Sequence, residues 1–211
     1  MNLNKSYLLM ASLALLSGCL NFQMDKETFI KEFKDTDLIP ISDTFNIRGR
    51  QIHFVKTPKR KDSVLIFVHG SPGSWNAFID YFKNTRLTDA FDIIAVDRPG
   101  FGASDYGWPE VSLKNQVEYI KDAVGGLYNY QIWIGHSLGG PVVARMAMDF
   151  PNEVEGLVLL APSIDPELEK KEWYRSWFQT RLVSAMMPTG FRVSNEEILP
   201  LKSELRLMLP H

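Results

Sequence analysis

Tyr130-Gln131-Ile132-Trp133-Ile134-Gly135-His136-Ser137-Leu138-Gly139-Gly140-Pro141-Val142-Val143 decides how this 211-residue chain folds. Residues 130–134 are a short apolar run of strand length. Residues 138–150 place Val142, Val143, Met146, Ala147 and Phe150 on one face at helical spacing. Pro141 is tolerated in that helix because the first turn lacks amide partners. Between strand and helix the chain must turn sharply at Gly135-His136-Ser137-Leu138-Gly139. The two glycines remove side chains that would clash across the turn, and the turn lifts the Ser137 hydroxyl above the carboxyl end of the strand. The helix starting just behind the serine presents free amides, which favour developing negative charge.

Working outward, the same alternation recurs. An apolar run over 64–68 reads as a strand buried on both faces, broken by His69-Gly70-Ser71-Pro72-Gly73-Ser74 and followed by a helix over 75–83 that Ser74 can cap. A second such strand, over 91–96, stops at Asp97-Arg98-Pro99-Gly100-Phe101-Gly102, and a helix over 113–124 ends at Gly125-Gly126. A further buried strand is expected over 154–160. Before these, 44–55 reads as two strands around the turn-prone Arg48-Gly49, and Phe29, Ile30 and Phe33 mark a short amphipathic helix. Strands alternating with helices imply an α/β fold, a mostly parallel sheet with helices on both faces. After Pro166 the pattern changes, and helices are expected over 167–184 and 195–209. The latter has Ile198, Leu201, Leu205 and Met208 at spacings of three and four.

Three sites in order give the chain a family resemblance over roughly residues 44–165. His69 to Gly73 resembles the oxyanion loop of α/β-hydrolases, Asp97 to Ser104 resembles the loop after their fourth strand, and Gly135 to Gly139 resembles their nucleophile elbow. The resemblance implies that Ser137 is the nucleophile and that the backbone amides of Ser71 and Leu138 form the oxyanion hole. Gly135, His136 and Gly139 complete the elbow. The implied reaction is acyl transfer: Ser137 attacks a carbonyl, the amides hold the oxyanion, and water releases the acyl group. A serine in the elbow argues against the aspartate-nucleophile branches. The substrate class implied is a small-molecule ester or acyl compound; the sequence shows no metal-ligand cluster and no phosphate-binding glycine loop, so no cofactor and no metal are expected.

The family also needs a histidine base near its C-terminus and an oriented acid. His53 reads as a partly exposed strand residue, His69 as the residue ordering the oxyanion loop, and His136 as packing beside Ser137. Only His211 follows the serine, and nothing in the sequence positions it. Asp165 is the candidate acid, with a turn residue in Ser163-Ile164-Asp165-Pro166 as the alternative. By the resemblance, the chain is expected to stop inside the helical cap that the family inserts after strand six. The last strands and final helix would then be missing, and the strand over 154–160 would be an aggregation-prone edge. Activity in this form is expected to be weak or absent. Trp173, Trp177, Phe178, Met186, Met187 and Phe191 would be cap residues, either an apolar lid or a helix-packing stripe.

The first residues carry a different signal. A short, positively charged start, an apolar run over 7–16 too short to span a bilayer, and Leu16-Ser17-Gly18-Cys19 match a bacterial lipoprotein signal peptide. Cys19, the single cysteine, is the expected lipidation site, the alternative being an export signal with an incidental cysteine. An acylated cysteine would hold the protein on a membrane surface in the bacterial envelope. Leu20 after it, by resemblance to such lipoproteins, favours the outer membrane. The expected organisation is a signal peptide over 1–18, a tether and short helix over 19–40, the hydrolase core over 41–166 and an incomplete cap over 167–211. Lys plus Arg number 23 against 25 Asp plus Glu, a net charge of −2, which gives no basic footprint for nucleic acid. Two other functions stay open on the same fold: a non-enzymatic lipid-anchored binding or scaffold protein, and a cofactor-free acyltransferase or perhydrolase.

Overall fold

The computed structural model describes residues 22–58, 61–165, 167, 178 and 180–208. Among them six strands form one sheet, ordered β1-β2-β4-β3-β5-β6. β1 (Ile41–Ile47) and β2 (Arg50–Lys56) pair antiparallel through the tight turn at Arg48-Gly49, and β2 pairs antiparallel with β4 (Asp92–Val96). β3 (Ser63–Val68), β4, β5 (Tyr130–His136) and β6 (Gly156–Leu160) run parallel. Each parallel crossover carries helix, as parallel pairing requires: a 3₁₀ turn at Trp75–Phe78 with α2 (Ile79–Lys83) and α3 (Thr85–Ala90), then α4 (Leu113–Ile120), then α5 (Gly139–Asp149).

Alternation along the strands divides the core in two. Ile52, Phe54, Ile66, Val68, Ile94, Val96 and Trp133 point to the face covered by α4 and α5. Val55, Leu65, Phe67, Ile93, Ala95 and Ile134 point to the other. That second face is covered by α1 (Lys26–Phe33), whose Phe33 ring lies 6.3 Å from Phe82, and by Trp75 and Phe78. The expected α/β architecture, with helices on both faces of a mostly parallel sheet, is the one observed.

Several boundaries differ from the sequence expectation. α3 was not expected. It forms because the Asn84 side chain accepts from the Leu87 amide and caps it. The helix at 113 gives way at Lys121 to one wide π turn that ends at Gly125. α6 is Arg181–Met186, and the rest of the helix expected over 167–184 falls largely outside the described residues. The last helix, α7, is Thr189–Met208 and starts six residues before the expected Asn195. Gly190, Ser194 and Asn195 are weak helix formers, but all three are buried, so tertiary packing overrides propensity there. β6 is not buried on both faces. Leu157, Val158 and Leu159 are 40%, 41% and 38% exposed, because β6 is the edge of the sheet among the described residues. Among the described residues no helix is long and apolar enough to cross a membrane.

Candidate active site

Ser137 sits where β5 ends and α5 begins, in the left-handed region at φ 51°. A non-glycine residue there is strained, so the surroundings must hold it. The Ser137 amide donates to the Leu160 carbonyl at 3.1 Å, and its carbonyl accepts from Gly140 at 2.9 Å and Ser163 at 3.0 Å. The elbow is thus pinned both to the new helix and to the chain leaving β6. Gly139 is demanded by packing, since a Cβ there would lie 2.1 Å from the Val68 carbonyl oxygen. Among the described residues, no group hydrogen-bonds the Ser137 hydroxyl.

The loop after β3 meets the elbow directly. A Cβ at Gly70 would stand 2.8 Å from the Ser137 Cβ and 3.3 Å from its Oγ, so the bare Gly70 backbone lies against the serine. Ser71 follows, its hydroxyl oxygen buried and, among the described residues, without a hydrogen-bond partner. Among the described residues neither the Ser71 amide nor the Leu138 amide has a protein acceptor. The Leu138 amide lies at the N-terminus of α5, where unpaired N–H groups favour negative charge.

Two buried side chains hold that loop in place. The His69 Nδ1–H donates to the Gly70 carbonyl at 2.6 Å, and its Nε2 accepts from the Arg98 amide at 2.9 Å. Both ring nitrogens are therefore committed, and the imidazole is the neutral Nδ1–H tautomer. Its pKa lies well below 6.5, first because it is buried and second because the Arg98 guanidinium is close. The fully buried Arg98 donates through Nε to the His69 carbonyl at 2.9 Å and through Nη2 to the Gly70 carbonyl at 3.1 Å. Its remaining N–H groups reach Gln116 at 3.0 Å and both oxygens of Glu197, each at 2.9 Å. Glu197 comes from α7, and Glu204 on the same helix accepts from the Leu113 amide at 3.0 Å, at the start of α4. The sequence motif marked Arg98 only as part of a loop. Its carboxylate partner lies in α7, where the apolar spacing of Ile198, Leu201 and Leu205 gives no sign of it.

Of the other expected site residues, His136 is exposed at the end of β5. The Asp165 carboxylate accepts from the Glu167 amide at 2.8 Å, a local turn of the Asx kind, and among the described residues it meets no histidine. His53 corrects its sequence reading. It is 7% exposed, with Nδ1 2.7 Å from Asp97 Oδ2 and Nε2 2.8 Å from Ser42 Oγ. Cys19, His211, Trp173 and Trp177 lie outside the described residues. Of the expected cap residues that are described, Met186 and Phe191 are 59% and 42% exposed.

Comparison with known proteins agrees with this architecture. A profile of the alpha/beta hydrolase fold matches residues 63–186, more than half of the chain. The chain belongs to the α/β-hydrolase family. Among curated relatives, a pimeloyl-[acyl-carrier protein] methyl ester esterase of Proteus mirabilis is 35% identical over 102 residues, 47% of this chain and 36% of that protein. Epoxide hydrolase 1 of Caenorhabditis elegans is 28% identical over 135 residues, 62% of this chain and 32% of that protein. The chain thus spans about a third of the length of these relatives. A solved bacterial membrane phospholipase A superposes with a TM-score of 0.58 at 15% identity, covering 97% of this chain and 69% of that one, a likeness of fold.

Proposed function

We propose that the chain carries the nucleophile site of a carboxylic ester hydrolase, with Ser137 as the nucleophile. The observation that carries this reading is the strained, fully pinned backbone of Ser137, whose hydroxyl has no described partner and stands beside the bare Gly70 backbone. Attack by Oγ on a carbonyl would place the developing oxyanion toward the orphan amides of Ser71 and Leu138. The serine at the elbow favours ester chemistry, as in the Proteus mirabilis relative, over epoxide opening. His53 and His69 are committed to other partners, so the serine's proton goes to a different base. Without one, turnover by this chain is weak.

The proposal extends to location. Cys19 would be acylated after removal of residues 1–18, holding the hydrolase on the bacterial envelope, at the outer membrane by virtue of Leu20. Two measurements test these statements separately. A fluorophosphonate probe should modify Ser137 in the purified chain, slowly, and Ser137→Ala should abolish that adduct. No adduct at Ser137 under prolonged exposure refutes the nucleophile assignment. Metabolic labelling with tritiated palmitate should mark the wild-type chain and not Cys19→Ser. Equal labelling of both refutes the anchor.

A further inference from the structure

On the face of the sheet away from α4 and α5, a second serine, histidine and aspartate stand in line. Ser42 and His53 lie on β1 and β2 in diagonal register, since Ser42 pairs with Val55 and Thr44 with His53. Their side chains therefore share one face. Asp97 reaches the pair because β4 lies beside β2, with the Asp97 amide donating to the His53 carbonyl at 2.9 Å. The Asp97 carboxylate takes the Trp75 amide on Oδ1 at 2.7 Å, and the Ala103 amide at 2.8 Å and His53 Nδ1 at 2.7 Å on Oδ2. A carboxylate only accepts, so Nδ1 bears the proton. In the neutral ring the Nε2 lone pair then faces the Ser42 hydroxyl at 2.8 Å. This is the tautomer a base needs in order to take a serine proton.

The arrangement opens on a cavity of about 510 Å³ beneath α1, within the range of small-molecule sites. Phe29, Ile30, Val55 and Trp75 form its apolar wall, and Lys26, Ser42, His53 and Asp97 also line it. Ser42 itself is exposed, so an incoming group can reach its oxygen. We propose that Ser42, His53 and Asp97 form a second reactive centre that takes activated acyl esters with a short aliphatic or aromatic acyl group. Ser42 Oγ bonds to the carbonyl carbon as its proton passes to His53 Nε2, and the carbonyl electron pair moves to the oxygen. On collapse the carbon–oxygen bond to the leaving group breaks, and the alcohol or phenol departs with the proton from Nε2. Water then gives its proton to Nε2, attacks the acyl carbon and frees Ser42, which recovers that proton. Asp97 faces the imidazolium in both halves.

The test uses the full chain and an alkyl fluorophosphonate, read by mass spectrometry of tryptic peptides. Ser42 lies in peptide 35–48 and Ser137 in peptide 122–145, so the two sites report independently. The expected result is an adduct on Ser42 that persists in Ser137→Ala, disappears in Ser42→Ala and forms at least tenfold more slowly in His53→Gln. Ile30→Trp, which enlarges a side chain lining the cavity, should also slow it and decides the matter where His53→Gln does not fold. An adduct confined to Ser137, no adduct at Ser42, or a Ser42 rate unaffected by His53→Gln or Ile30→Trp overturns the proposal. Failure at Ser137 alone leaves the Ser42 result standing.

Discussion

Arg98 and Glu197 stand ninety-nine residues apart in sequence, yet they form a two-pronged ion pair, with both contacts at 2.9 Å and both side chains fully buried. The pair joins α7 to the loop beside Ser137, because the same guanidinium also holds the His69 and Gly70 carbonyls. All five N–H donors of Arg98 are used, counting its contact to Gln116. Removing the carboxylate leaves a buried cation uncompensated, which costs about 3–5 kcal/mol. Glu197→Ala should therefore lower stability by about that amount in urea denaturation. The double replacement Arg98→Met with Glu197→Leu should not recover that loss, because the buried His69 and Gly70 carbonyls then lose the donor they share. A double variant as stable as the parent would show that the guanidinium contributes nothing through those carbonyls.

The elbow glycines should separate cleanly from a glycine outside it. A Cβ at Gly139 meets the Val68 carbonyl oxygen at 2.1 Å and the His69 carbonyl oxygen at 2.8 Å, both backbone atoms. Gly126, with nothing within 4 Å, has room for a side chain. Gly139→Ala should lose more than about 2 kcal/mol, with strand β3 pushed off the elbow, while Gly126→Ala stays within about 0.5 kcal/mol. Equal stabilities for the two variants would contradict the close packing at the turn.

The contrast between these two features shows what the sequence made legible. The elbow is local: strand, glycine-flanked serine and helix follow one another within some twenty residues, so periodicity and composition suffice to place it. The Arg98–Glu197 pair is not local, and nothing in Asp97-Arg98-Pro99-Gly100 names a partner in the last helix. His53 failed for the same reason. The alternation Ile52-His53-Phe54-Val55 marks it as one face of a strand, but its burial depends on α1 lying over that face. Its pairing with Asp97 depends on β4 inserting between β2 and β3. The start of α7 is not legible in the sequence because Gly190, Ser194 and Asn195 are weak helix formers that become helical where they are buried. The general base for Ser137 has no legible candidate among the described histidines.

His69 makes stability depend on pH in a defined direction. Burial and the nearby Arg98 hold its folded-state pKa well below 6.5, so in acid the unfolded chain takes up this proton first. The sign follows: the contribution is intact above about pH 6.5 and is lost as pH falls from there toward the folded-state value, by at most about 1.4 kcal/mol per unit. Protonation would also force Nε2 to give up the Arg98 amide. Urea midpoints should fall between pH 7 and pH 5, and His69→Gln, less stable at pH 7, should show a shallower fall. An identical slope in the variant assigns the acid sensitivity to other groups.

Strand β6 should govern self-association of the 211-residue chain. Its outer edge among the described residues has no strand partner, and Leu157, Val158 and Leu159 expose apolar side chains on both faces. Exposed, flat, apolar edges template pairing with other chains, and a lysine on such an edge blocks it at little expense in stability. Val158, 41% exposed, is the position where a charged side chain displaces least core. Val158→Lys should reduce light scattering at a given protein concentration while shifting the urea midpoint by less than about 0.5 kcal/mol equivalent. A variant that scatters as strongly as the parent, with its stability unchanged, would place the sticky surface elsewhere. The exposed Met186 and Phe191 would be the next positions to change.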